Sequence, residues 1–288
     1  MNADSAFQIG ASHAVCQDYS LAGAGLPAMH SETPGWQAGP YVILSDGCSS
    51  SPDTDIGARR LVKAAEHILR GPGRAQASDL AEIHKEAARL ALAWAGLMGL
   101  PPQAVDATLL TAHLDGEELV IGCSGDGTIC LQAWSGAVDA YSISYPSGYP
   151  LYPSYAHQPR RLLAMEDEGR LRKEIKHLRS ASVEDRLRMR GAHCGDSLTE
   201  VLTASAPDYK NVSLFSDGIH SFFHARQTED GFRSEAVPFG EVLRQLISFK
   251  STRGAFVGRR MKRFLKDCRA KGLQHTDDLS VGALHLGG

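Results

Sequence analysis

The sequence has little of what marks several large protein classes. Its six cysteines, Cys16, Cys48, Cys123, Cys130, Cys194 and Cys268, form no Cys-x-x-Cys pair. Neither a zinc knuckle nor a disulfide framework is therefore indicated, and most of them read as reduced core thiols. No apolar run reaches the ~20 residues that a bilayer span needs, and the greasiest stretch, 90–100, is too short. Residues 1–10 lack the charged start and apolar centre of a signal peptide, so the expectation is a soluble, cytoplasmic protein without a membrane partner. Charge of one sign is lacking too. With 30 Lys+Arg against 33 Asp+Glu, the formal charge is −3, not the strongly basic balance of a nucleic-acid partner. There is no phosphate-cradling Gly-x-x-x-x-Gly-Lys-Ser/Thr, no Gly-x-Ser-x-Gly elbow, no His-Glu-x-x-His and no tandem repeat. A Cys nucleophile with a distant His stays open through Cys16, Cys48 and the 12 His, but no spacing singles out a pair.

What is present is a chain of 288 residues, 43% apolar and 22% charged, with 29 Gly spread along it. That composition builds a core and argues against a disordered, collagenous or coiled-coil protein. The charge is uneven along the chain. Residues 1–158 carry 7 basic and 16 acidic residues, net −9, and residues 250–271 carry 9 basic and 1 acidic, net +8.

Periodicity predicts strands at 7–12 and 41–45, the latter a continuous apolar run of the kind buried on both faces. Helices follow over 56–69, capped by Thr54 or Asp55, and from 78 or 79 to 98, stopped by Gly99 and the Pro101-Pro102 pair. Strands at 108–114, 119–124, 128–134 and 138–143 are separated by Asp115-Gly116, Asp126-Gly127 and Ser135-Gly136 and read as a four-stranded antiparallel meander. The stretch 144–195 begins rich in Pro and Tyr and becomes charged, with ten basic and six acidic residues in 160–190; such a stretch suits a lid or insertion, or an ordinary loop and solvated helix. A strand at 212–216, helices at 239–249 and 255–271 and a last strand at 279–286 complete the pattern. In the helix at 255–271, Phe256, Val257, Met261, Phe264, Leu265 and Cys268 form a docking face. Arg259, Arg260, Lys262, Arg263 and Lys266 are left to water.

One local echo carries the chemistry. Tyr41-Val-Ile-Leu-Ser-Asp46-Gly47 and Val212-Ser-Leu-Phe-Ser-Asp217-Gly218 are both apolar strands ending in Ser-Asp-Gly. Each puts a carboxylate at a rigid strand end beside a glycine that admits close approach. Asp18, Asp126 and the Asp277-Asp278 pair sit in comparable settings. If these ends converge, the carboxylates cannot all stay ionised without a compensating cation. Oxygen ligands without a Cys or His cluster favour Mg²⁺ or Mn²⁺, and two such ions ~4 Å apart suit in-line attack on phosphorus.

The ordered set His13-x-x-Cys-Gln-Asp18, Ser45-Asp-Gly47, Asp106-Ala-Thr108, Ser124-Gly-Asp126-Gly, Ser216-Asp-Gly218 and Asp277-Asp-Leu-Ser280 resembles the successive motifs of the metal-dependent protein phosphatases, the protein phosphatase 2C family. It resembles the bacterial branch in particular, over roughly 8–286. The resemblance implies an α+β fold: one domain, 1–288, built as a four-layer α/β/β/α sandwich of two antiparallel sheets flanked by helices. A flap is implied at about 145–195. It also implies hydrolysis of phosphoserine or phosphothreonine in a protein, with a water activated by two metal ions and no phospho-enzyme.

Carried over by position, Asp46 would bridge both Mn²⁺ or Mg²⁺ ions and the Gly47 carbonyl would bind one. Asp217 and Asp277 would hold the other, and Asp126 with Asp217 would support a third. Asp18 would orient the attacking water, and His13, standing where the family usually has a phosphate-binding Arg, would donate to a phosphate oxygen. Gln17 replaces a commoner Glu, Cys48 a His of some eukaryotic members, and Asp278 an Asn. The partners implied are a phosphorylated protein substrate and a cognate Ser/Thr kinase in signalling. The losses at His13 and Gln17 motivate an alternative: a non-catalytic module that keeps the fold and binds a phosphoprotein or kinase. The sequence is silent on oligomeric state.

Overall fold

A computed structural model describes residues 1–25, 39–71, 79–179, 188–190, 198–228 and 231–287. Three strands open the chain, β1 Asn2–Gln8, β2 Tyr19–Gly23 and β3 Tyr41–Ser45, followed by helices α1 Thr54–Leu69 and α2 Leu80–Leu97. Then come β4 Leu109–Asp115, β5 Glu118–Ser124, β6 Gly127–Ala133 and β7 Val138–Ser144. Helix α3 Pro159–Asp167 leads to β8 Glu174–Arg179 and β9 Arg188–Arg190. The last third holds β10 Glu200–Ser205, β11 Tyr209–Phe215, β12 Phe222–Thr228, β13 Gly231–Ala236, α4 Phe239–Leu246, α5 Phe256–Ala270, β14 Leu273–His275 and β15 Leu279–His285.

The strands form two six-stranded antiparallel sheets, in the orders β1-β15-β11-β6-β7-β8 and β2-β3-β4-β5-β10-β9, and a small sheet β13-β12-β14. Period-2 alternation explains the layering. In β3, Val42 and Leu44 face the layer between the sheets, while Tyr41 and Ile43 lie under α1 and α2. In β15, Leu284 joins the inter-sheet layer, while Leu279, Val281 and Ala283 lie under α4 and α5. Three apolar layers thus separate helix, sheet, sheet and helix, as expected for the α+β sandwich. The apolar stripe of α5 is buried and its basic residues Arg259, Lys262, Arg263 and Lys266 are exposed.

The sequence-based boundaries need several corrections. The first strand runs over Asn2–Gln8, not 7–12, because its partner is β15, paired from Asn2↔His285 to Gln8↔Leu279. Helix α1 begins at Thr54 after Asp53, which has φ 57° and no capping side-chain bond. The four-strand meander is two hairpins in different sheets: β4 pairs with β5, β6 with β7, and Ser124-Gly125-Asp126-Gly127 crosses between the sheets. Gly125 (φ +87°) and Gly127 (φ +144°) make the crossing, and a Cβ on either would come within 2.8 Å of Thr108 or Leu110 respectively. The Tyr-rich stretch is no detached lid, since Tyr145, Leu151, Tyr152 and Tyr155 are buried in the inter-sheet core and β8 extends a sheet. Residues 180–187 and 191–197 of the expected flap, with Cys194, lie outside the described residues. Strands β2, β10, β12, β13 and β14 were not legible from the pattern. Among the described residues no helix is long and apolar enough to cross a membrane.

Helix α1 approaches the backbone so closely at Gly57 that a Cβ there would stand 1.6 Å from the Ala104 carbonyl oxygen, whereas a Cβ at Gly96 in α2 would meet nothing within 4 Å. Gly57→Ala should lower the unfolding free energy by about 1–3 kcal/mol or more. Gly96→Ala should leave it unchanged or raise it by up to about 1 kcal/mol. Denaturant titration of both variants checks the pair, and equal effects would contradict this packing.

Candidate metal centre

The two Ser-Asp-Gly sequences end strands in different sheets, so stacking the sheets brings them together at one edge. Just past β3, the Asp46 N–H donates to Thr108 Oγ1 (3.0 Å) and the Thr108 N–H to the Asp46 carbonyl (2.8 Å). The Cys48 N–H donates to the Asp106 carbonyl (2.8 Å) and the Gly47 N–H to the Gln17 carbonyl (3.2 Å). Asp106-Ala-Thr108 is therefore a backbone splint that fixes Asp46. Gly47 is required because a Cβ would come within 2.8 Å of Thr54.

Past β11, Ser216 Oγ donates to Asp18 Oδ2 (2.8 Å) and accepts the Ser280 N–H (2.9 Å). A Cβ on Gly218 would stand 1.8 Å from the Asp278 carbonyl oxygen, so the turn carrying Asp217 lies directly on the strand lead that carries Asp277. Asp278 faces the other way and is buried. Its carboxylate accepts the N–H groups of Gly10 (2.7 Å) and Gln17 (2.6 Å) and lies 3.0 Å from His13 Nδ1. That one side chain fastens the loop that delivers His13 and Asp18.

The acids line a cleft of about 480 Å³ together with His13, Gly47, Cys48 and the wall Ser147–Pro150 and Tyr152. Asp46, Asp126, Asp217 and Asp277 all face it, and Asp18 lies buried behind it, with its carboxyl within hydrogen-bonding reach of Asp46. Burial pushes Asp18 up to about 7, against the hydrogen bonds from Ser216 and Asp46, with the charges of Asp217 and Asp278 adding to the rise. Asp126 is pushed up to about 8 by burial and by Asp217. Asp46 rises well above the ordinary range through burial and the charges of Asp18 and Asp217, and Asp277 rises through burial and Asp217. His13 is raised as well: burial opposes its protonation, but the hydrogen bond and charge of Asp278, then Asp277 and Asp18, outweigh it.

No three His, Cys, Asp or Glu side chains among the described residues already close on one point as a complete chelating set. The acids do fit divalent cations, because Asp18 Oδ1 and Asp217 Oδ1 are buried without a hydrogen-bond partner among the described residues. A buried carboxylate oxygen in that condition is costly unless a cation or proton meets it. The donors are all oxygen, the preference of Mg²⁺ or Mn²⁺.

The seven sequence-derived residues, His13, Asp18, Asp46, Gly47, Asp126, Asp217 and Asp277, are thus brought to one place. Gln17 is not: its side-chain amide donates to Thr54 Oγ1 (2.9 Å) behind the cleft. The supporting residues Ser216 and Thr108 were visible within the motifs but carried no assigned role. Arg161 was missed entirely. It binds the buried Asp106 through two bonds (2.8 and 2.7 Å) and lies 4.7 Å over the Tyr155 ring, tying the wall of the cleft to the splint beneath Asp46. His84 was missed too. Buried behind the Asp126 crossing, it lies 2.8 Å from Ser124 Oγ and 2.9 Å from Thr111 Oγ1, and its burial, with His113 nearby, lowers its pKa to about 3.

Residues 9–266 match the family model described as Protein phosphatase 2C. No curated protein sequence matches the chain significantly. Among solved structures, the fold is similar to the serine/threonine phosphatase Stp1 from Staphylococcus aureus (TM-score 0.58, 11% identity, 100% of this chain and 96% of that one). It is also similar to the Mycobacterium tuberculosis serine/threonine phosphatase PstP/Ppp (TM-score 0.53, 16% identity, 99% and 98%). A third is the catalytic domain of the serine/threonine phosphatase PstP, solved in complex with two manganese ions (TM-score 0.52, 16% identity, 98% and 96%). At such identities the structural likeness speaks for the sandwich, and the family model speaks for the sequence. The family model, matched over most of the chain, makes this chain a member of the protein phosphatase 2C family.

Proposed function

We propose that the protein is a Mn²⁺- or Mg²⁺-dependent phosphoserine/phosphothreonine phosphatase of the cytoplasm, acting on phosphorylated proteins opposite a cognate Ser/Thr kinase. The observation that carries this reading is the gathering of five acids from distant segments around one cleft, with orphaned oxygens on Asp18 and Asp217. Asp46, the Gly47 carbonyl, Asp217 and Asp277 would hold two ions, and Asp126 with Asp217 a third. When bound, such ions neutralise the acids and the phosphate ester and acidify water.

The remaining work falls to the chain. Asp18, with Oδ2 held by Ser216 and Oδ1 free, orients the attacking water and is placed to accept its proton. His13 Nε2 lies 3.6 Å from Asp277 Oδ1, too far for a hydrogen bond. That N–H is therefore available to a phosphate oxygen while Asp278 braces the ring. The wall at Tyr149 and Tyr152 limits how a phosphorylated side chain enters.

Three outcomes test the reading. Aryl phosphate should be hydrolysed with added Mn²⁺ and not in EDTA. Asp46→Ala or Asp217→Ala should cut turnover by at least about 100-fold with an unchanged circular dichroism spectrum. Turnover that survives EDTA would overturn the metal assignment, and absence of both hydrolysis and Mn²⁺ binding by calorimetry would favour the binding module.

In EDTA, Asp46→Ala should raise the melting temperature, because it removes a buried carboxylate held at raised pKa by its neighbours. The pH dependence follows with its sign. Asp18 (about 7) and Asp126 (about 8) take up protons when folded, whereas unfolded aspartates titrate near 3.9. Between pH 8 and roughly 6.5 the metal-free protein should therefore gain stability as pH falls. Below that, buried His84, at about 3 when folded, makes the rise shallower, since its unfolded form binds a proton first, but one proton against two leaves stability rising until the unfolded aspartates titrate near 3.9. Thermal melts in EDTA across this range check the slope; a flat or rising curve with pH would contradict it.

A further inference from the structure

A second cavity of about 440 Å³ lies along the first turns of α5, and five of its lining residues are cationic: Lys250, Arg259, Arg260, Lys262 and Arg263. No acid lines it. Several bases on α1 and α2 are paired along their own helices, Lys63 with Glu66, Lys85 with Glu82 and Arg89 with Glu86. None of the five cations is in an ion pair among the described residues. Asp267, the one acid on α5, lines a different pocket. The helix end is already served, because Asp4 Oδ2 accepts the N–H groups of Val257 (2.6 Å) and Gly258 (3.2 Å). The positive character of the groove therefore comes from side chains.

Two of these side chains are held rather than splayed. Arg259 donates to the Arg253 carbonyl (2.6 Å), and Arg260 is fixed on Gln245, through the backbone carbonyl and Oε1 (3.2 Å). Guanidinium forks held in place suit phosphoryl and carboxylate groups. The floor is apolar, with Phe249 and Phe256 packed edge to face at 4.9 Å.

We propose that this groove docks a second acidic or phosphorylated segment of the protein substrate whose phosphorylated residue occupies the metal cleft. The inference rests on the phosphatase reading for the identity of that substrate. The distance suits it. Asp4, which caps α5, and Gly10, whose N–H binds the Asp278 next to cleft-lining Asp277, are six residues apart, at most about 20 Å of chain at roughly 3.3 Å each. An extended peptide covers that span in about six to eight residues. A long polyanion fits less well, because residues 1–158 carry net −9 and the groove is short.

The test uses labelled peptides with one phosphothreonine and, ten residues away, four Glu or four Gln. In the Asp46→Ala background, fluorescence anisotropy should show the Glu peptide binding at least 10-fold tighter. The further double substitution Arg259→Glu/Arg263→Glu should remove that difference. In the otherwise native enzyme the same double substitution should raise KM for the Glu peptide and leave aryl phosphate turnover unchanged, which also reports folding. Equal binding of the two peptides would overturn the proposal. So would a preference that survives the double substitution, or binding of a labelled RNA or of phosphatidylserine vesicles with no preference between the peptides. Failure of aryl phosphate hydrolysis would instead strike the phosphatase reading, while the anisotropy arm still reads the groove.

Discussion

The structure depends on keeping like charges together at the edge of a low-dielectric sandwich. Carboxylates of like charge would drift apart on flexible loops. Here each is fixed by backbone that cannot yield: Asp46 by its exchange of hydrogen bonds with Thr108, Asp217 by the contact of Gly218 with Asp278, and Asp126 by the two positive-φ glycines of the crossing. The repulsion is thus borne by two sheets of apolar packing, and the raised affinities for protons measure a standing demand for positive charge. Divalent cations answer that demand with more charge than protons do.

Much of this was legible because the same residues serve core and chemistry. The alternation in β3 sends Val42 and Leu44 one way and Tyr41 and Ile43 the other, which is why a doubly buried strand reads as a continuous apolar run. Its repetition in β11 then marks two strand ends of one kind. What failed to read was whatever depends on distant partners. Asp126-Gly127 has the local chemistry of a hairpin turn, and only the packing of Gly125 and Gly127 against Thr108 and Leu110 turns it into a crossing between sheets. The Tyr-rich stretch reads as a lid by composition, yet Tyr145, Tyr152 and Tyr155 fill the space between the sheets. The pairing of Arg161 with Asp106 spans 55 residues and has no local signature.

The two Asp residues before β15 show how adjacent identical side chains divide their labour. Asp277 faces the cleft and Asp278 turns inward to gather the N–H groups of Gly10 and Gln17. His13 stands over both, so the cleft-facing carboxylate and the anchor of the loop are linked through one ring.

The same anchoring sets an order of assembly. Gly10 and Asp278 are 268 residues apart, Asp18 and Ser216 are 198 apart, and β1 is zipped along its whole length to β15. Contacts so distant in sequence form late and slowly. On a ribosome, the loop bearing His13 and Asp18 lacks its anchor on Asp278 until residues 277–285 have been made. A nascent chain therefore carries most of the sandwich without a finished cleft, which is completed only once β15 has been made.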